Sequence, residues 1–346
     1  MVGTAAQEDP EGFHCWVDIP VGAGSTNVEI VRNAVRGCLV AMLKSVDETH
    51  AISMVAAELL DNAVRHGDWS SSRARFGIRI QASARGSRVE VENPVIPDGE
   101  KVRGLFRMLD KLAKYATPIE GYCAQVHRIA SAVGEPGELG LARVRYEGDC
   151  DVAAELVEPG AVRVTATTRP RAGEPAFEPL QLGLAGTGTL VRLAVPNGWQ
   201  NSELIRISSG LLVQTAIGPG DHCDGVGMVS GELMENAHKY GQPSVVTYAM
   251  ALAPERLDIE VSQRPKEAAT FLRLRAGIDW IRSFADVQAA YLSRMQDYTG
   301  DQEPEASGLG LVRIAYEGGC TLDCDLDDQG RIHVRASYPL AGAKPS

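Results

Sequence analysis

An internal duplication constrains this chain more than any other property of its sequence. The stretch Ala57-Glu58-Leu59-Leu60-Asp61-Asn62-Ala63-Val64-Arg65-His66-Gly67 returns 174 residues later as Gly231-Glu232-Leu233-Met234-Glu235-Asn236-Ala237-His238-Lys239-Tyr240-Gly241. Each copy places a glutamate, an asparagine four residues on, a cation three further and a glycine two beyond that. On a helix the first three share one face. A second motif recurs in the same order: Leu139-Gly140-Leu141-Ala142-Arg143-Val144-Arg145-Tyr146-Glu147-Gly148-Asp149-Cys150 matches the stretch Leu309 to Cys320 at eight of twelve positions, now at an offset of 170. A chain of 346 residues is long enough for two cores. The reading is therefore two tandem domains, residues 13–168 and 187–341, joined by a linker at 169–186 that is rich in proline and glycine.

Local patterns agree between the halves. Cys15 to Val21 and Thr189 to Val195 alternate apolar and polar side chains, as half-buried strands do. A helix is expected from Asn27 to Leu43 and another from Asn201 to Gln214. The motif helix follows, with Asp47 as its cap and Gly67 as its stop. Its apolar stripe uses Ile52, Val55, Leu59 and Ala63, and the copy uses Val226, Val229, Leu233 and Ala237. Two hairpin strands come next in each half, then one amphipathic helix through Val102 to Leu112 or Phe271 to Ile281, then the second motif and a closing strand pair. Strand following strand opposes a doubly wound parallel sheet and predicts an α+β sandwich, a mostly antiparallel mixed sheet with helices on one face.

Composition bounds the partners. A net charge of -11 argues against a nucleic-acid or anionic-membrane surface. No apolar run approaches the roughly 20 residues of a membrane span. The acidic first ten residues lack a secretory pattern, so the expected location is cytoplasmic. Seven cysteines, none in CxxC spacing, argue for reduced thiols over a disulfide framework or a zinc site. A protein partner or a small ligand fits best, and a homo-oligomer is compatible with the sequence.

The motif helix offers a carboxylate, a carboxamide and, one turn on, Arg65 or Lys239, a set suited to a hydrated divalent cation beside a phosphate. Glu58 and Glu232 are of the type that acts as general base. The Gly-Leu-Gly-Leu run at Gly308 to Leu311 opens a helix whose backbone amides can approach an anion closely. The ExxxN helix followed by GLGL resembles the N box and second glycine box of the GHKL superfamily, which includes DNA gyrase B, sensor histidine kinases and anti-sigma-factor serine kinases. The resemblance implies two tandem Bergerat-type folds, ATP and magnesium as cofactors, Asn62 and Asn236 as magnesium ligands, and Glu232 and Glu58 as general bases. It also implies nucleotide contacts from Lys239, Arg65, Gly308, Gly310 and Gly140, and either ATP hydrolysis or serine/threonine phosphorylation of a partner.

Two departures from the family pattern stand out, and the second separates the halves. The family's Asp-x-Gly-x-Gly box is missing from both Val91 to Gly99 and Val261 to Lys266, and Glu138 stands where the second half has Gly308. The second half therefore retains more of the expected site. The function implied is a bacterial signalling regulator built as an intramolecular pseudo-dimer, binding Mg-ATP in its second half. The alternative is a nucleotide-free scaffold regulating through protein contacts.

Overall fold

The structure, a computed structural model, describes residues 14–22, 25–42, 45–68, 75–97, 99–131, 139–157, 160–170, 177, 188–297 and 308–340. Glu138 and most of the expected linker lie outside the described residues. The first half runs β1 (His14–Gly22), α1 (Ser25–Ala41), α2 (Val46–His66), β2 (Arg75–Ser83), β3 (Gly86–Pro94), α3 (Glu100–Ala113), α4 (Pro118–Ala130), α5 (Leu139–Tyr146), β4 (Cys150–Val157) and β5 (Ala161–Thr168). The second half repeats that order as β6 (Thr189–Pro196), α6 (Trp199–Ile217), α7 (Asp221–Tyr240), β7 (Val245–Leu252), β8 (Arg256–Gln263), α8 (Thr270–Arg282), α9 (Val287–Asp297), α10 (Leu309–Tyr316), β9 (Thr321–Leu326) and β10 (Ile332–Pro339).

Two local expectations need correction. The N-cap of α2 is Ser45, whose hydroxyl accepts from the Glu48 amide while the Glu48 side chain returns to the Ser45 amide; Asp47 lies in the first turn. The segment read as one amphipathic helix per half holds two. Helix α4 begins with its own capping box, Thr117 to Glu120, and with Pro118 in its first turn, a signal present in the sequence.

The strands form one ten-stranded sheet in the order β4-β5-β3-β2-β1-β6-β7-β8-β10-β9. Every pairing is antiparallel, and the order in one half mirrors that in the other. The halves meet where β1 pairs with β6, in the register Cys15 to Leu193 and Val17 to Val191. Those four side chains face the helices and are buried. A single apolar core continues from them beneath both halves, through Ile78, Ile80 and Leu59 on one side and Ile259, Met250 and Leu233 on the other. Across the joint α1 passes close to α6. A Cβ on Gly37 would lie 2.1 Å from the Ser208 hydroxyl and 3.6 Å from the Leu204 carbonyl, so glycine permits that approach. Tyr248 of β7 is fully buried, and its hydroxyl bonds the Ser230 hydroxyl of α7 at 2.9 Å. Desolvation pushes that phenol well above its usual range. No described helix is long and apolar enough to cross a membrane.

The opposite face of the sheet carries ionic ladders. In the first half Arg163 of β5 bridges Glu92 and Glu155 at 2.9 Å each. At the matching register of β10 stands His333, with Nδ1 2.9 Å from Glu260 and Nε2 3.0 Å from Asp327. Glu260 also accepts from Arg335 at 2.6 Å, which reaches on to Asp325. Two ring nitrogens facing two carboxylates are both satisfied only in the imidazolium. The bond to Glu260 chiefly raises the His333 pKa against the opposing effect of burial. Glu260 and Asp327 are both held low, their hydrogen bonds outweighing desolvation. The stabilisation from His333 is thus fully present below its unfolded pKa of about 6.5 while the carboxylates stay ionised, and it is lost as pH rises through the folded value. Melting curves from about pH 6 to about pH 9 should show a fall in Tm that is missing from His333→Ala. The partly exposed site limits the difference to about 1 kcal/mol.

Candidate functional site

Helices α2 and α7 bury the stripes expected of them: Ile52, Val55, Leu59 and Ala63 in one, Val226, Val229, Leu233 and Ala237 in the other. That choice of face leaves the glutamate and asparagine of each motif half-buried on the flank. Both helices stop by turning into extended backbone, at Gly67 (φ -63, ψ 159) and Gly241 (φ -93, ψ 158), and each glycine amide still donates to Ala63 or Ala237.

The two sequence motifs come together in both halves. A Cβ placed on Gly140 of α5 would lie 2.7 Å from Glu58 Oε2 and 3.4 Å from Asn62 Nδ2. On Gly310 of α10 it would lie 2.7 Å from Glu232 Oε2 and 3.4 Å from Asn236 Nδ2. Glycine lets the helix backbone rest on the carboxylate at these two positions; a methyl group there would have to displace it. Gly308, just before α10, adopts the left-handed conformation at φ 59, which favours glycine for a separate reason.

Sequence reasoning passed over one participant. Arg143 of α5 donates to Glu58 at 2.5 Å and pairs with Glu147 at 3.0 Å. Arg313 of α10 likewise pairs with Glu232, and with Glu317 at 3.3 Å. The signal was available: an arginine four residues before a glutamate in both copies of the second motif. Burial raises the pKa of Glu58 and of Glu232, and the arginines offset it only in part. Both motif carboxylates therefore hold protons more readily than free glutamate does. Asn62 Nδ2 and Asn236 Nδ2 are buried and have no hydrogen-bond partner, so each leaves a donor awaiting an acceptor.

Each asparagine lines a cavity of about 620 Å³. The first is walled by Leu59, Val91, Val102, Met108, Leu141 and Val164, with Asn62, Arg65 and Asn93 among its polar groups. Arg65 is neutralised by Asp61 at 2.8 Å. The second cavity is lined by Asn236, Lys239, Lys266, Arg273, Arg294 and Gly308, with Glu267 the acidic residue among the described ones. Near the end of β3 the first half has Asn93, 4% exposed on the cavity wall. The second half has Gln263, whose Oε1 sits 2.0 Å from where a Cβ on Gly241 would be; it packs beneath that glycine and leaves the cavity wall. Among the described residues no cluster of three or more His, Cys, Asp or Glu is arranged to hold a metal ion. The residues in place would fit a magnesium ion only in company with phosphate oxygens, to which Asn236 Oδ1 could add one ligand. The cations and the orphaned amide donor of the second cavity suit such a group.

No family model matches this chain. No curated protein matches it either. Among solved structures, a chain of the crystal structure of the SiaB-SiaC complex from Pseudomonas aeruginosa is similar over 43% of this chain and 89% of that chain, with a TM-score of 0.35 and 19% sequence identity.

The close glycine contacts make a direct prediction. Gly310→Ala should displace Glu232 or α10 and lower stability by about 1–3 kcal/mol. Gly277→Ala, whose Cβ would meet only Leu311 at an ordinary 3.4 Å, should be neutral or slightly stabilising. Denaturant midpoints of the two variants check this.

Proposed function

We propose that the second half binds a nucleoside triphosphate with magnesium, and that the chain works as a bacterial signalling regulator acting on a protein partner. The observation that carries this reading is the cation-lined cavity that Asn236 reaches, beside the two glycines of the GLGL run. Asn236 would hold the metal, and Lys239 with the amides around Gly308 would face the phosphates. Glu232, one turn before Asn236, would be the group to accept a proton from water or from a partner hydroxyl, and burial raises its pKa. Arg313 holds its position. The bound nucleotide would supply the phosphoryl group if transfer occurs.

The continuous sheet supports the pseudo-dimer: pairing β1 with β6 sets two copies of one half side by side. Covalent linkage makes that pairing intramolecular. A second reading, a scaffold without nucleotide, is favoured in the first half by the apolar walls of its cavity and the neutralised Arg65.

Calorimetric titration with a non-hydrolysable ATP analogue and magnesium separates the readings. Saturable binding to the parent should weaken by about tenfold or more in Asn236→Ala and persist in Asn62→Ala. Absence of binding at millimolar ligand would select the scaffold.

A further inference from the structure

Repeat symmetry provides an internal control on the two cavities. Tyr122 of α4 stacks against Tyr146 with ring centroids 5.3 Å apart, and Tyr291 of α9 stacks against Tyr316 at 4.8 Å, both with an interplanar angle of 31°. Tyr146 and Tyr316 are equivalent in the second motif, so these pairs align α4 with α9. Three residues beyond the tyrosines the halves differ: the first carries Gln125 and the second Arg294.

Gln125 is fully buried. Its amide donates to the Met108 sulfur at 3.7 Å and its oxygen accepts from Arg128 at 3.1 Å, so it is a satisfied packing residue. Arg294 lies over the Trp280 ring, 4.4 Å from the centroid, and lines the second cavity with Asn236. Its Nη2 is 3.5 Å from where a Cβ on Gly308 would stand. Its Nε is buried without a hydrogen-bond partner, and among the described residues no carboxylate pairs with it. Two of the other cavity cations have oxygens nearby: Lys266 donates to the His238 and Lys239 carbonyls, and Arg273 pairs with Glu267.

Stacking on an indole fixes the plane of a guanidinium but leaves its edge donors unsatisfied. A half-buried cation lacking a counter-charge is costly, and a planar fork matches phosphate oxygens in a way that an amide does not. We infer that Arg294 is the residue that lets the second cavity, and not the first, take a phosphate chain. This rests on the nucleotide reading for its ligand class, but it requires only the chain of phosphates and not the base. A purely structural Arg294 would hold Trp280 and be indifferent to the charge of a ligand.

The test is calorimetry on the full chain with inorganic triphosphate, adenosine and the non-hydrolysable ATP analogue as separate titrants. The parent should take one triphosphate per chain. Arg294→Gln, which installs the first half's residue, should weaken triphosphate by about tenfold or more and leave any adenosine affinity unchanged. Arg294→Lys keeps the charge without the fork and should fall between them; it carries the test should the glutamine variant melt early. The inference is overturned if the parent fails to bind triphosphate, if it binds two per chain, or if both variants bind it as the parent does. If triphosphate binds through Arg294 but the ATP analogue binds no tighter, the nucleotide reading fails and this inference stands. If the analogue binds the parent and Arg294→Gln equally, the reverse holds.

Discussion

The antiparallel pairing of β1 with β6 is the interaction on which the rest of this molecule depends. Each of these strands is the inner end of a five-stranded half. Unpaired, it would present a row of backbone donors and acceptors to solvent. Pairing satisfies them and brings Cys15, Val17, Val191 and Leu193 into one buried layer. The apolar core then has no boundary at the joint, and α1 can settle against α6 at Gly37. The remaining edges are β4 and β9, which carry Asp151 and Glu155 or Asp323 and Asp325, charges that discourage further strand addition.

Within each half a second constraint sets the site. Gly140 and Gly310 let the GLGL helix rest directly on the motif glutamate and asparagine, and that approach delivers Arg143 or Arg313 to the glutamate. The seam is almost identical in the two halves, down to the distances from glycine to carboxylate. What differs is the cavity beside it. The first has the more apolar wall, and its cations Arg65 and Arg107 are paired with Asp61 and Glu100; among the described residues the second gathers Lys239, Lys266, Arg273 and Arg294 against Glu267. A shared scaffold thus supports two chemistries, because a few side chains on α3, α4, α8 and α9 change while the backbone contact does not.

Much of the fold was legible because its signals are local. Alternation marked β1 and β6, a 3.6-residue period marked α2 and α7, and short turns marked the hairpins. Errors fell where a local signal competed with a stronger neighbour: Asp47 is a good capping residue, but Ser45 with Glu48 forms a reciprocal pair. Helix α4 was overlooked because four of its large apolar residues do not follow a buried stripe; Ile119 and Val126 are exposed. At the site, Glu58, Asn62, Glu232, Asn236, Gly140 and Gly310 were readable from repetition. Arg143 and Arg313 repeat as well, but a cation four residues before a glutamate on one helix reads as a solvated pair until a second helix arrives.

By itself the sequence determined that this protein has two copies of one α+β unit, which residues each helix buries, and which two motifs belong together. Repetition and periodicity are properties of neighbours along the chain, so no knowledge of folding was needed to see them. Tertiary structure alone decided that the two units share a sheet, that the motif carboxylates are held by arginines 85 and 81 residues away in sequence, and that Arg294 in one cavity meets no carboxylate among the described residues. Those outcomes depend on backbone hydrogen bonds and charges meeting across long separations, and the amount of water excluded when they meet is set only once both sides of the seam are in place.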